Sequence, residues 1–217
     1  MSGLADFTST GGKRLFIARH GETIFNLAGR IQGNEAYTPL TLTGFAQADE
    51  MGRALARHLG EKPAVDLIAS HTDRALQTLS VISQHIGVDW HQAKPDVRLG
   101  EIDMGEWTGV YYRDLDGMLE IDTEEMLFAT VAPGGETYAD IAARLNNWLS
   151  EQVFVRDTVL ISHGMTSRVL RGMLTGLSPH ARHGIPIAQG LPQGSIVQIC
   201  DGVEEVIHLG GGEREKA

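Results

Sequence analysis

The sequence predicts an α/β fold, a three-layer α/β/α arrangement in one domain around a largely parallel central sheet. Short apolar runs alternate with segments of helical spacing along most of the 217 residues, the pattern of strands joined by crossover helices. Three of the runs stop abruptly at polar motifs, "ARHG", "ASHTDR" and "ISHG". Ligands in such sheets bind beyond the carboxyl ends of the strands, so these three ends mark the place to look for chemistry.

The elements follow in order. "RLFIAR" is a short strand. "LTLTGFAQADEMGRALARHLG" has helical spacing, with Phe45, Ala48, Leu55 and Leu59 near one face and Gly60 as a stop. "AVDLIAS" is the next strand, and "DRALQTLSVISQHIG" the helix after it. "GETYADIAARLNNWLSEQ" is amphipathic, with Ile141, Leu145, Trp148 and Leu149 on one side. "DTVLISHG" is a strand and "MTSRVLRGMLTG" a helix. "SIVQICDGVEEVIHL" reads as a hairpin turning at Asp201-Gly202. Residues 1–12 and 210–217 are expected to be flexible tails around a domain at 13–209, rich as they are in Gly, Ser, Thr and charge.

Composition narrows the function. A formal net charge of -10 repels nucleic acid and anionic membranes, so neither is expected as a partner. Any anionic ligand must be held by a local basic cluster. The single cysteine, Cys200, excludes an internal disulfide framework and fits a reducing, cytoplasmic setting. Two strand-end histidines, His20 and His163, then fall at one sheet edge with Arg19 and Arg74. Cations buried without a partner are costly. An external anion is the simplest partner, and a tetrahedral phosphate suits guanidinium forks.

"ARHGETIFN", "SHTDRALQT", "RLGEIDMGEWTG", "PGGETYADIAAR" and "VLISHGMTSRVLRG" occur in the order found in the histidine phosphatase superfamily. The chain resembles its phosphoglycerate mutase-like branch (branch 1) from Leu15 to about Leu177, with His71 and Thr72 in place of the usual Pro-Leu. The resemblance implies that His20 is the nucleophile that becomes a phosphohistidine. It implies that Arg19, Arg74, His163, Gly164 and Asn26 hold the phosphoryl group, and that Glu101 is the acid for the leaving oxygen. It implies neither a metal nor another cofactor, because the arginines supply positive charge. Thr23, Arg30, Gln32, Gly33, Tyr111 and Arg113 are candidate specificity residues. Arg168 is expected in a supporting ion pair.

Within the family, "RHGET" and "SHG" differ from the acid-phosphatase pattern Arg-His-Gly-x-Arg-x-Pro. Cofactor-dependent mutases present a tyrosine three residues after the acid and an arginine pair for the glycerate carboxylate; here the third position is Met104 and the pair is absent. The reading is therefore a phosphatase for the phosphate monoester of a small metabolite, with inorganic phosphate as product. Alternatives are a phosphoglycerate mutase and a catalytically weak phosphate-binding regulator. Residues 108–135 form the expected specificity lid, and its acidic tract "EIDTEEM" is expected to disfavour a second anionic group. The chain is expected to be a monomer or a homodimer.

Overall fold

The polar motifs share one sheet edge because of how the strands are ordered. The computed structural model describes residues 6–60 and 63–212. β1 (Leu15–Arg19), β2 (Val65–Ser70), β3 (Lys94–Asp96) and β6 (Asp157–Ser162) run parallel; β7 (Ile196–Cys200) pairs antiparallel with β1, and β8 (Val203–His208) antiparallel with β7. The strand order is β3-β2-β6-β1-β7-β8. Register pairs Arg19 with Ser162 across β1 and β6, and Ala69 with Ile161 across β2 and β6. The residues that follow, His20, His163 and Ser70, therefore emerge side by side.

Period-two alternation divides the strand side chains between two cores. Phe16, Ala18, Leu67, Val159 and Ile161 pack with α2 (Leu42–Leu59) and α3 (Asp73–Ile86) on one face. Leu15, Ile17, Leu160, Val197 and Ile199 pack with α4 (Tyr138–Ser150) and α5 (Gly164–Leu174) on the other. This is the three-layer fold that the alternating pattern predicts. Thr41 caps α2 by accepting from the Gly44 N–H, and a Thr137–Asp140 capping box starts α4.

Several details differ from expectation. Phe45 is exposed, because the buried stripe of α2 runs through Gly44, Ala48, Met51 and Leu55. Gly44 leads that stripe because its backbone presses on the loop after β1. A short α1 (Ile24–Ala28) follows the first motif, and the lid carries a small hairpin of β4 (Ile121–Asp122) and β5 (Leu127–Phe128). Part of the expected N-terminal tail is tied down: Thr10 is buried, and its N–H and that of Gly12 donate to the Asp201 carboxylate in the β7–β8 turn. At the other end the Gly210 N–H donates to Ser195 Oγ. Residues 1–5 and 213–217 of the two expected tails lie outside the described residues. Among the described residues no helix is long and apolar enough to cross a membrane.

Candidate active site

His20 is the first residue past β1, and its backbone N–H donates to the Ser162 carbonyl, which extends the sheet by one bond. Its side chain is almost fully buried. Nδ1 lies 2.7 Å from the Gly21 carbonyl oxygen. A carbonyl only accepts, so Nδ1 carries the hydrogen and the lone pair of the neutral ring is on Nε2. Burial, then the charges of Arg74 and Arg19, hold the His20 pKa well below the usual 6.5. The ring is therefore neutral at neutral pH.

The glycine after it is required by space. A Cβ on Gly21 would sit 2.3 Å from the Gly44 carbonyl oxygen, and one on Gly44 would sit 2.0 Å from that of Glu22. The Gly21 N–H donates to Thr78 Oγ1, and that hydroxyl donates to the Arg74 carbonyl. The final Thr of "DRALQT" thus clamps the first motif to α3.

Arg74, in the first turn of α3, and His163, the residue before α5, are both completely buried. The Arg74 guanidinium donates from Nε to His163 Nδ1, from Nη1 to the Glu35 carbonyl and Thr38 Oγ1, and from Nη2 to the Gly33 carbonyl. Burial pushes its pKa down to about 10, which leaves it charged at neutral pH. His163 accepts at Nδ1, so its Nε2–H is the donor to Ser70 Oγ, 2.7 Å away. Burial, then Arg74, hold the His163 pKa well below 6.5. The rings of His20 and His163 meet edge to face at 5.1 Å.

Glu101 reaches the start of α5. Its Oε1 accepts from the N–H groups of Ile102 and Thr166 and from Thr166 Oγ1, and Oε2 accepts from the Met165 N–H. Acceptance at a helix N-terminus suits a carboxylate. Arg144 braces this arrangement by donating to the Glu101 carbonyl and to Thr166 Oγ1 while it pairs with Glu136. Glu136 in turn accepts from the Asp103 N–H, which gives the Glu of "PGGE" its place.

A cavity of about 690 Å³ opens beside these groups. Arg19, His20, Asn26, Arg30, Gln32, Gly33 and Glu101 line it, as their motifs anticipate. Other expected ligand-facing residues stand elsewhere. Arg74, His163 and Gly164 are buried and are not among the lining residues, and the Arg74 guanidinium and His163 ring nitrogens are engaged by protein partners. Thr23 is buried as the cap of α1, where its hydroxyl meets Asn26 Oδ1 and Gln32 Oε1. Tyr111 and Arg113 also stand outside the lining. The guanidiniums of Arg30 and Arg113 lie 4.4 and 4.3 Å from the Tyr111 ring centroid, and Arg113 is largely exposed.

Glu22 and Gln193 join the polar end, with Gln193 Nε2 donating to Asn26 Oδ1. The rest of the lining is apolar and includes Met104, Tyr112, Met126, Phe128 and Met165. The lid's acidic tract contributes only Met126 to this wall, and Glu125 turns away to pair with His180. Its carboxylates thus do not face a ligand as the sequence alone suggests. Arg168 donates to the carbonyls of Ala188 and Met126 and so braces the lid. Glu22 is itself part of the first motif, two residues after His20. Phe128 lies in the lid expected at 108–135, whereas Gln193 is remote in sequence and carries no local signal.

Known proteins share the sequence pattern and the fold. A profile of the histidine phosphatase superfamily (branch 1) matches residues 15–207. A Yersinia enterocolitica protein named "Probable phosphoglycerate mutase GpmB" is 30% identical over 174 residues, 77% of each chain. The Thermus thermophilus protein TTHB049 superposes with a TM-score of 0.59 at 27% identity, over 85% of this chain and 92% of that one. A mycobacterial glucosyl-3-phosphoglycerate phosphatase, in a complex with VO3, shares the fold with a TM-score of 0.65 at 24% identity, covering 93% of this chain and 100% of its own. Profile, relative and fold converge: the chain belongs to the histidine phosphatase superfamily, branch 1.

Proposed function

We propose that this protein hydrolyses phosphate monoesters through a phosphohistidine on His20, without a metal. The observation that carries the reading is the His20 Nδ1–Gly21 carbonyl contact, which puts the lone pair on Nε2 in a ring that lines the same cavity as Arg19 and Glu101. In the first step Nε2 attacks phosphorus and the ester P–O bond breaks. Glu101 gives its proton to the departing oxygen, so the alcohol leaves neutral. In the second step water attacks the phosphohistidine, its proton passes to Glu101, and phosphate leaves with His20 restored.

Oε2 of Glu101 is the better site for that proton, since Oε1 accepts from several donors and Oε2 from the Met165 N–H. Arg19 and Asn26 meet the phosphoryl oxygens from the cavity wall. Arg74, buried, acts as a fixed charge that keeps His20 neutral and favours the transferring group. His163 holds Arg74 in place.

A second reading, phosphoglycerate mutase, draws on the name of the Yersinia relative. Met104 weighs against it, and beside Arg19, which meets the phosphate, Arg30 is the one arginine of the lining among the described residues. Turnover of a chromogenic aryl phosphate in excess chelator, with acid-labile phosphate on the protein after rapid quench, is the expected result. Full activity in His20→Ala would overturn the assignment, and isomer interconversion faster than phosphate release would favour the mutase.

A further inference from the structure

The cavity is much larger than its polar end. At about 690 Å³ it falls in the range of about 300–1,000 Å³ that accommodates drug-sized ligands. The polar groups that handle phosphate gather around His20. The same cavity is also lined by Leu27, Tyr112 and Met126, backed by the mostly buried Met104, Phe128 and Met165. The charged lining balances two carboxylates, Glu22 and Glu101, against two guanidiniums, Arg19 and Arg30, so the cavity carries no surplus of positive charge for a second anion. Arg30, a cation in the lining, is engaged with Tyr111 through the phenol oxygen and the ring face.

Met126 is the notable member of this wall. It sits in the lid hairpin at φ +55°, a backbone conformation sterically disfavoured for residues with a side chain. The buried Arg168 holds its carbonyl at 3.0 Å. A sterically costly backbone, braced by a buried guanidinium, places a pliable thioether in the cavity wall. Thioethers adapt to irregular apolar shapes and contact ring edges favourably.

From this lining we infer that the alcohol released is an uncharged apolar group of aromatic size, and that Met126 is a specificity-determining residue that packs against it. The inference rests on the phosphomonoesterase reading above. A glycerol-like or second-anion ester would leave the accessible part of that wall, Leu27, Tyr112 and Met126, facing water. An aryl-methyl or comparably bulky apolar alcohol covers it.

The test uses the full chain and three esters of primary alcohols, so that leaving-group reactivity stays comparable: glycerol phosphate, benzyl phosphate and naphthylmethyl phosphate. The expected kcat/KM rises in that order, by about 100-fold overall, the scale that burial of one to two rings supports. Met126→Asn, a residue tolerant of positive φ, lowers kcat/KM for naphthylmethyl phosphate about tenfold. The loss on glycerol phosphate is smaller, and an unchanged far-UV circular dichroism spectrum with a cooperative melt reports that the variant is folded. A flat or reversed order among the esters, with turnover intact, overturns the inference alone. Equal losses on all three esters overturn the role of Met126. No turnover of any ester, nor of an aryl phosphate, overturns the phosphomonoesterase reading itself.

Discussion

The Nε–H of Arg74 meets Nδ1 of His163 at 3.2 Å, a cation donating to a ring nitrogen with no solvent access to either side chain. Protonating His163 would turn this acceptor into a donor facing a donor. His20 is bound by the same logic, since the charges of Arg74 and Arg19 both oppose a proton on it. Acidification therefore acts on both rings in the same direction.

The pH dependence of stability follows from that sign. Each histidine has a folded pKa below the ordinary 6.5, so below 6.5 the unfolded chain takes up protons that the folded one refuses. Above 6.5 both states are neutral and the two residues contribute no slope. Stability should be level at higher pH and fall below the ordinary pKa, by up to about 1.4 kcal/mol per pH unit for each histidine. Urea titrations across the ordinary histidine pKa measure this. The protonation of His20 that ends activity should come well below 6.5, so kcat/KM should not lose its histidine-dependent part as pH passes through that value.

His20→Ala removes the nucleophile while Arg19, Asn26 and Glu101 remain. Turnover of any phosphate ester should fall about 10³-fold or more, with ligand binding largely kept. Single-turnover quench and phosphate affinity, measured together, separate the two effects.

Gly44→Ala adds a methyl where the Glu22 carbonyl already stands, 2.0 Å from the new atom. Overpacking of this kind should cost about 1–3 kcal/mol and lower kcat as well, since the strained loop carries His20. Gly21→Ala meets the same contact from the other side, so the two losses should be non-additive in a double-mutant cycle.

Arg144 does not line the cavity, yet it touches the Glu101 carbonyl, Thr166 and Glu136. Arg144→Met should lower kcat about 10- to 100-fold, through misplacement of Glu101, with KM little changed. Glu136→Gln in the same chain removes the stranded carboxylate and should restore part of the stability. Steady-state kinetics and thermal unfolding read the two outcomes.

Arg113 and Arg30 stack on one phenol but differ in position. Arg113→Ala should change kcat/KM by less than about twofold, because the side chain is exposed and outside the cavity lining. Arg30→Ala should cost about three- to tenfold, since it opens the wall and removes a partner of Tyr111.

The residues most legible in the sequence are those whose neighbours reveal them. β1, β2 and β6 are dense apolar runs buried on both faces, and α3 to α5 carry an apolar stripe, so each shows in its own composition. β3 reads Lys-Pro-Asp and is a strand only because β2 offers it an edge. The same difference divides the site. His20, Arg19 and Glu101 line the cavity as their motifs imply, but motif order says nothing about depth. Arg74 and His163 are completely buried and bonded to one another, a depth no motif states. The apolar wall joins residues from Leu27 to Met165, and no local pattern links positions so far apart.

The mutual contact of Gly21 and Gly44 bears on the thermodynamics of the reaction. The His20 main chain is pinned by Ser162, its neighbour by Thr78 and Gly44, and its ring by the Gly21 carbonyl. Every one of these restraints is a folding contact. The entropy lost in orienting the nucleophile is thus lost once, when the chain folds, and not again in each turnover. Loss of activity on heating should accordingly coincide with global unfolding, with no earlier step in which the nucleophile loosens within an intact fold.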